Sequence, residues 1–78
     1  MGKRAAINAV KRTKFVSFEH GEGEWIKVSA EHGDDAADYY GEFRGGYPWI
    51  NPILEKIAEA NGGFWEWQNP GCIALYEG

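Results

Sequence analysis

Asn51-Pro52-Ile53-Leu54-Glu55-Lys56-Ile57-Ala58-Glu59-Ala60-Asn61-Gly62-Gly63 carries a helix start, a stripe and a stop in one run. Asn51 is of the type that caps helix N-termini, its side-chain oxygen accepting from a backbone N–H with no partner inside the helix. Pro52 suits the first helical position, where its φ is pre-set and its missing N–H is no loss. Gly62 and Gly63 end the run, glycine adopting the left-handed cap at little cost. Ile53, Leu54, Ile57 and Ala58 form one apolar stripe while Glu55, Lys56 and Glu59 face water, so the spacing predicts a helix over 52–61 that lies on a sheet by one side.

The segment C-terminal to the helix reads as a hairpin. In residues 64–68 Trp65 and Trp67 point one way and Phe64, Glu66 and Gln68 the other, and in 72–77 Ile73 and Leu75 oppose Cys72, Ala74 and Tyr76. Asn69-Pro70-Gly71 joins the two strands, with Pro at the second and Gly at the third position of a type II turn. Both faces of the hairpin are partly apolar. One meets the helix and the other is left for a partner, which places Trp65, Trp67 and Tyr76 in a homodimer interface.

Before the helix, Lys14 to His20 alternates through Val16 and Phe18, and Glu24 to Glu31 through Ile26, Val28 and Ala30. A three-residue loop, Gly21-Glu22-Gly23, sets Phe18 opposite Ile26 and Val16 opposite Val28, with Gly23 free to take a positive φ. Residues 33–48 are punctuated by Gly33, Gly41, Gly45, Gly46 and Pro48, and Tyr39 to Arg44 is a candidate third strand weakened by Gly41. The assembled expectation is an α+β fold, β-β-(β)-α-β-β: an antiparallel sheet of four to five strands with one helix packed on one face.

A chain of 78 residues builds one domain, 1–78, and its hydrophobic fraction of 44% gives it enough surface to bury. The single cysteine, Cys72, allows no internal disulfide, so a reducing compartment, the cytoplasm, is the simpler reading. No apolar run reaches the length of a membrane span, and Ala5 to Val10 is too short for a signal peptide, so the expectation is a soluble, unprocessed chain without a membrane partner. Charge is divided. Residues 1–14 hold Lys3, Arg4, Lys11, Arg12 and Lys14 and no acid, and read as a basic arm or first strand. From residue 15 onward Lys27, Arg44 and Lys56 stand against twelve acids, a net charge of −9.

Several chemistries find little support in these residues. Glu19-His20-Gly21-Glu22 is echoed by Glu31-His32-Gly33-Asp34, which invites a metal. In the hairpin, however, His20 and His32 fall at opposite ends, and three or four ligands have to converge. Cys72 lies beside a turn without a nucleophile's local signature. Gly21 and Gly23 precede a strand, whereas a phosphate cradle opens a helix. The reading is of a chain that is not an enzyme, with no cofactor and no metal. The aromatics Phe64, Trp65, Trp67, Tyr39, Tyr40, Tyr47 and Trp49 lack the lysines and arginines that single-strand binders place beside stacked bases. There remains the acidic cluster, in which Glu19, Glu22, Glu24, Glu31, Asp34, Asp35, Asp38 and Glu42 fall close together in the chain, the last of them beside Tyr39 and Tyr40. It is either a solubilising surface or a partner-binding patch.

A short, cysteine-poor, glycine-rich chain with Asp34-Asp35, Asp38 and Glu42 among Tyr39, Tyr40 and Phe43 resembles, in overall character, the small acidic phage-encoded inhibitors of the anti-CRISPR type. The resemblance implies a protein that occupies the nucleic-acid groove of an effector complex and presents carboxylates where phosphates would lie. The expectation is therefore a protein-binding inhibitor with a basic-grooved partner, Glu31, Asp34, Asp35, Asp38, Tyr39, Tyr40 and Glu42 forming its face. The alternative is a nucleic-acid-binding module that uses the basic arm and an aromatic sheet face.

Overall fold

The computed structural model describes residues 2–19, 21–31, 35–39 and 48–78. Two helices lie on one face of a four-stranded antiparallel sheet, and a short two-stranded ribbon stands at one end. In chain order the elements are α1 (Lys3–Lys11), β1 (Ser17–Phe18), β2 (Ile26–Ser29), β3 (Ala37–Asp38), β4 (Trp49–Ile50), α2 (Pro52–Asn61), β5 (Gly63–Asn69) and β6 (Cys72–Glu77). The large sheet runs β1-β2-β6-β5, so the last strand inserts beside β2, and β3 pairs with β4. The fold is α+β, as the sequence predicts.

Helix α2 has the ends its sequence announces. Asn51 Oδ1 accepts from the Ile53 N–H at 2.9 Å, Pro52 is the first helical residue, and Gly62 closes the helix at φ 72° and ψ 33°. Its buried stripe is narrower than expected. Leu54 and Ala58 are buried and Ile57 half-buried, but Ile53 is 54% exposed. A stripe running i, i+4 through Leu54 and Ala58 leaves Ile53 about 100° round the axis.

The basic segment is neither a free arm nor a strand. It forms α1, whose Ala6, Ile7 and Val10 are buried against the common core while Lys3, Arg4 and Lys11 stay exposed. The fold thus has two helices where one was expected. The signal was present as apolar positions 6, 7 and 10 at helical spacing among good helix formers, but no side-chain cap marks the start at Gly2. Thr13 closes the other end, its hydroxyl donating to the Val10 carbonyl at 2.6 Å.

The first hairpin is shifted by one residue from its expected register. Ser17 pairs with Val28 and Phe18 with Lys27, where the three-residue loop would have set Phe18 against Ile26, and both Gly21 (φ 83°) and Gly23 (φ 108°) take positive φ in the connection. A one-residue slip exchanges faces. Ser17 now looks inward with Val28, and Val16 and Phe18 look outward, 59% and 43% exposed.

The second hairpin keeps its expected alternation. Trp65 pairs with Leu75 and Trp67 with Ile73 on the helix side, and Phe64 pairs with Tyr76 on the other. Its turn is not type II. Gly71 does not take a positive φ; Asn69 Oδ1 accepts the Gly71 N–H at 2.8 Å, the arrangement of an Asx turn, and the register shifts between Trp67 and Asn69. Ile7, Val10, Ile26, Val28, Leu54, Ile73 and Leu75 are the largest fully buried side chains, and Trp25 closes the core at 6% exposure. Strand β3 lies just before the stretch Tyr39 to Arg44 expected as a third strand; Tyr39 follows β3 in a turn, and 40–44 lie outside the described residues.

Candidate acidic protein-binding face

The end of the sheet that holds the β5–β6 turn gathers the described acids of the expected face. β2 runs out toward it, and the Ala30 N–H donates to the Gly71 carbonyl at 2.9 Å, which leaves Glu31 exposed beside the turn. The chain then returns past the start of α2. Asn51 fixes it there twice: its backbone N–H donates to the Ala36 carbonyl at 2.8 Å and its side-chain amide to the Asp35 carbonyl at 3.0 Å. The cap of α2 is therefore also the clamp that positions Asp35. Its carboxylate is exposed and pairs with Lys14 at 3.3 Å. Asp38 lies opposite Trp49 in the ribbon, half-buried. Tyr39 turns its ring edge to Trp67, with centroids 5.1 Å apart and planes at 72°. Glu31, Asp35, Asp38 and Tyr39 thus share one end of the molecule, while Asp34, Tyr40 and Glu42 lie outside the described residues.

The residues expected at a dimer interface are divided by the sheet. Trp65 and Trp67 are half-buried on the helix side, and the Trp65 indole donates to the Leu54 carbonyl at 2.7 Å. Tyr76 is on the outer side, stacked on Phe64 at 5.8 Å, its hydroxyl accepting from Gln68 at 3.1 Å. The chain matches no protein-family model, no curated protein and no solved structure.

Electrostatics tie the basic segment to the acidic body. Lys11 pairs with Glu19, and Lys14 with Asp35. The Lys11 ammonium, by hydrogen bond and charge, holds the Glu19 carboxyl below its ordinary value. Two cations that sequence reading offered to nucleic acid meet acids of their own chain, a pairing hidden in a sequence that separates them by eight and twenty-one positions. Burial pushes the Cys72 thiol up, so at neutral pH it is protonated and a weak nucleophile. Among the described residues no group of three His, Cys, Asp or Glu side chains converges on a metal-sized site, and His20 and His32 lie outside them. No described helix is long and apolar enough to cross a membrane.

Proposed function

We propose that the chain is a non-enzymatic, cytoplasmic protein-binding module that docks its acidic end against a basic nucleic-acid groove of a larger protein and inhibits it, as the phage-encoded inhibitors it resembles do. The observation that supports this most is the joint placement of Glu31, Asp35, Asp38 and Tyr39 at one end, with Asn51 fixing the backbone between them. Carboxylates beside an aromatic ring suit a surface that steers by charge and then buries an anchor. The Lys14 pair does not oppose this, because both side chains are exposed and such a pair contributes about 0–1 kcal/mol, so an incoming arginine displaces Lys14 at little cost. The nucleic-acid alternative is less favoured. Helix α1 lies on the helix side of the sheet, whereas the exposed Phe18 and Phe64 are on the other, so the cations of α1 do not lie beside those rings, and among the described strand residues the cation next to Phe18 is Lys27 alone. Self-association through the β5–β6 hairpin belongs to the same reading.

The test is retention of proteins from a nuclease-treated bacterial lysate on the immobilised chain, with the variant Glu31→Gln, Asp35→Asn, Asp38→Asn in parallel. The expected result is a DNA-binding protein held by the wild type, displaced by added duplex DNA and not held by the variant. Equal retention by both overturns the acidic face. Retention seen only from a parallel lysate without nuclease favours the alternative.

A further inference from the structure

Val16, Phe18, Phe64 and Ile53 are the large hydrophobic side chains left exposed among the described residues, and the first three share the sheet face that neither helix covers. The pairing registers fix what stands between them. Phe18 pairs with Lys27, Lys27 with Ala74, and Ala74 with Glu66, so one row crosses all four strands as Phe, Lys, Ala, Glu. Ala74 is fully buried between the two taller charged side chains. Lys27 and Glu66 take part in no ion pair among the described residues, and they flank β6 at equal distances of about 4.8 Å, one strand spacing on either side.

That symmetry has a geometric meaning. Two sheets packed face to face about a two-fold axis along β6 exchange left for right, so a residue one strand to one side is carried over the position one strand to the other. We propose that this outer face is where a second copy of the chain docks, with Lys27 over Glu66 of the partner subunit and Glu66 over the partner subunit's Lys27. The contact is self-complementary, as a two-fold interface has to be, with two opposite-charge pairs generated by one operation. The axis runs between the sheets over Ala74, whose small side chain leaves the space above β6 to the two charged pairs. Tyr76, Cys72 and Phe64 supply the apolar surround, and sheets in such a sandwich stack about 10 Å apart with their strands roughly aligned. Edge strand β5 takes part through its side chains and not through its backbone. The inference rests on the reading that the chain self-associates, but it assigns the contact to this face and takes Trp65 and Trp67 out of it.

The experiment measures mass in solution by sedimentation for the wild type, Lys27→Glu, Glu66→Lys, and an equimolar mixture of the two variants. The wild type is expected near twice 8.8 kDa, each variant alone near 8.8 kDa, and the mixture near twice 8.8 kDa again, because each variant supplies the charge the other needs. Recovery in the mixture also shows both variants folded. Phe64→Ser, at an exposed position, is a second route and is expected to weaken the wild-type dimer at least tenfold. A wild type that stays monomeric at high micromolar concentration overturns self-association and this face together. A wild-type dimer that survives Lys27→Glu, Glu66→Lys and Phe64→Ser overturns this face alone and leaves self-association to another surface.

Discussion

The indole N–H of Trp65 donates to the backbone carbonyl of Leu54 at 2.7 Å, so β5 is bonded across the layer to α2. Leu54 is fully buried under that bond, and its neighbour Ile53 is 54% exposed. Leu54→Ala is therefore expected to cost about 2–5 kcal/mol, Trp65→Phe about 0.5–1.5 kcal/mol and Ile53→Ala no more than about 0.5 kcal/mol. Urea unfolding midpoints rank the three. A loss at Ile53 equal to that at Leu54 would mean the helix presents a different face.

Asn51 has two duties that one substitution separates. Asn51→Ala removes the cap and is expected to cost about 0.5–2 kcal/mol. Asn51→Ser keeps an oxygen for the Ile53 N–H but loses the amide that reaches the Asp35 carbonyl. Global stability is then expected to stay near that of the wild type while the amides of 35–38 exchange faster with solvent. Unchanged exchange there would show that Asn51 does not clamp the acidic segment.

Gly62 and Gly63 are needed for different reasons. Gly62 has open space around it but sits at φ 72°, whereas a Cβ at Gly63 would come within 2.8 Å of the Tyr76 carbonyl and 3.1 Å of Leu75. Gly62→Ala is expected to cost roughly 1–2 kcal/mol through the left-handed backbone, and Gly62→Asn less, because asparagine tolerates that region. At Gly63 the obstacle is steric, so Asn is expected to be no better than Ala. Thermal melts of the four variants decide it.

Glu19 reports whether α1 docks on the body in solution. The Lys11 ammonium favours its charged form, so its carboxyl titrates below the ordinary value. A depressed folded pKa contributes stability that is present above the unfolded pKa and lost as pH falls through the folded one. The side-chain carbon of Glu19, followed by NMR, is expected to titrate at a higher pH in Lys11→Gln than in the wild type. Coincident midpoints would separate α1 from Glu19.

What local residues encode is legible in the sequence, and what depends on distant partners is not. Asn51, Pro52 and Gly62 encode α2 within a dozen residues, and the alternation of Trp65 and Trp67 against Phe64 and Glu66 encodes the hairpin faces. The β1–β2 register was not legible, because two glycines both able to take positive φ leave the loop length open, and a shift of one residue moves Val16 and Phe18 to the outer face. Helix α1 was masked by its charge. Residues 1–14 hold five cations, three of them in the helix, which point to solvent, while Ala6, Ile7 and Val10 supply a core stripe with no cap to announce it. Of the acidic face, composition named the residues, but the Asn51 clamp, the Lys14 pair and the Tyr39–Trp67 contact join positions far apart in the chain.

The central claim is that the acidic end guides docking. It is tested by the association rate between the chain and the protein retained from lysate, measured at low and high salt for three proteins. These are the wild type, the variant Glu31→Gln, Asp35→Asn, Asp38→Asn, and a control of equal charge, Glu22→Gln, Glu59→Gln, Glu77→Gln, whose exposed positions lie toward the other end of the sheet. Exposed charges are screened by salt, and steering acts mainly on the association rate. The expected result is a wild-type rate that falls as salt rises, a first variant that is slow and nearly indifferent to salt, and a control close to the wild type. Equal rates and equal salt slopes for the two triple variants would contradict the account, showing that net charge and not this end of the molecule governs association.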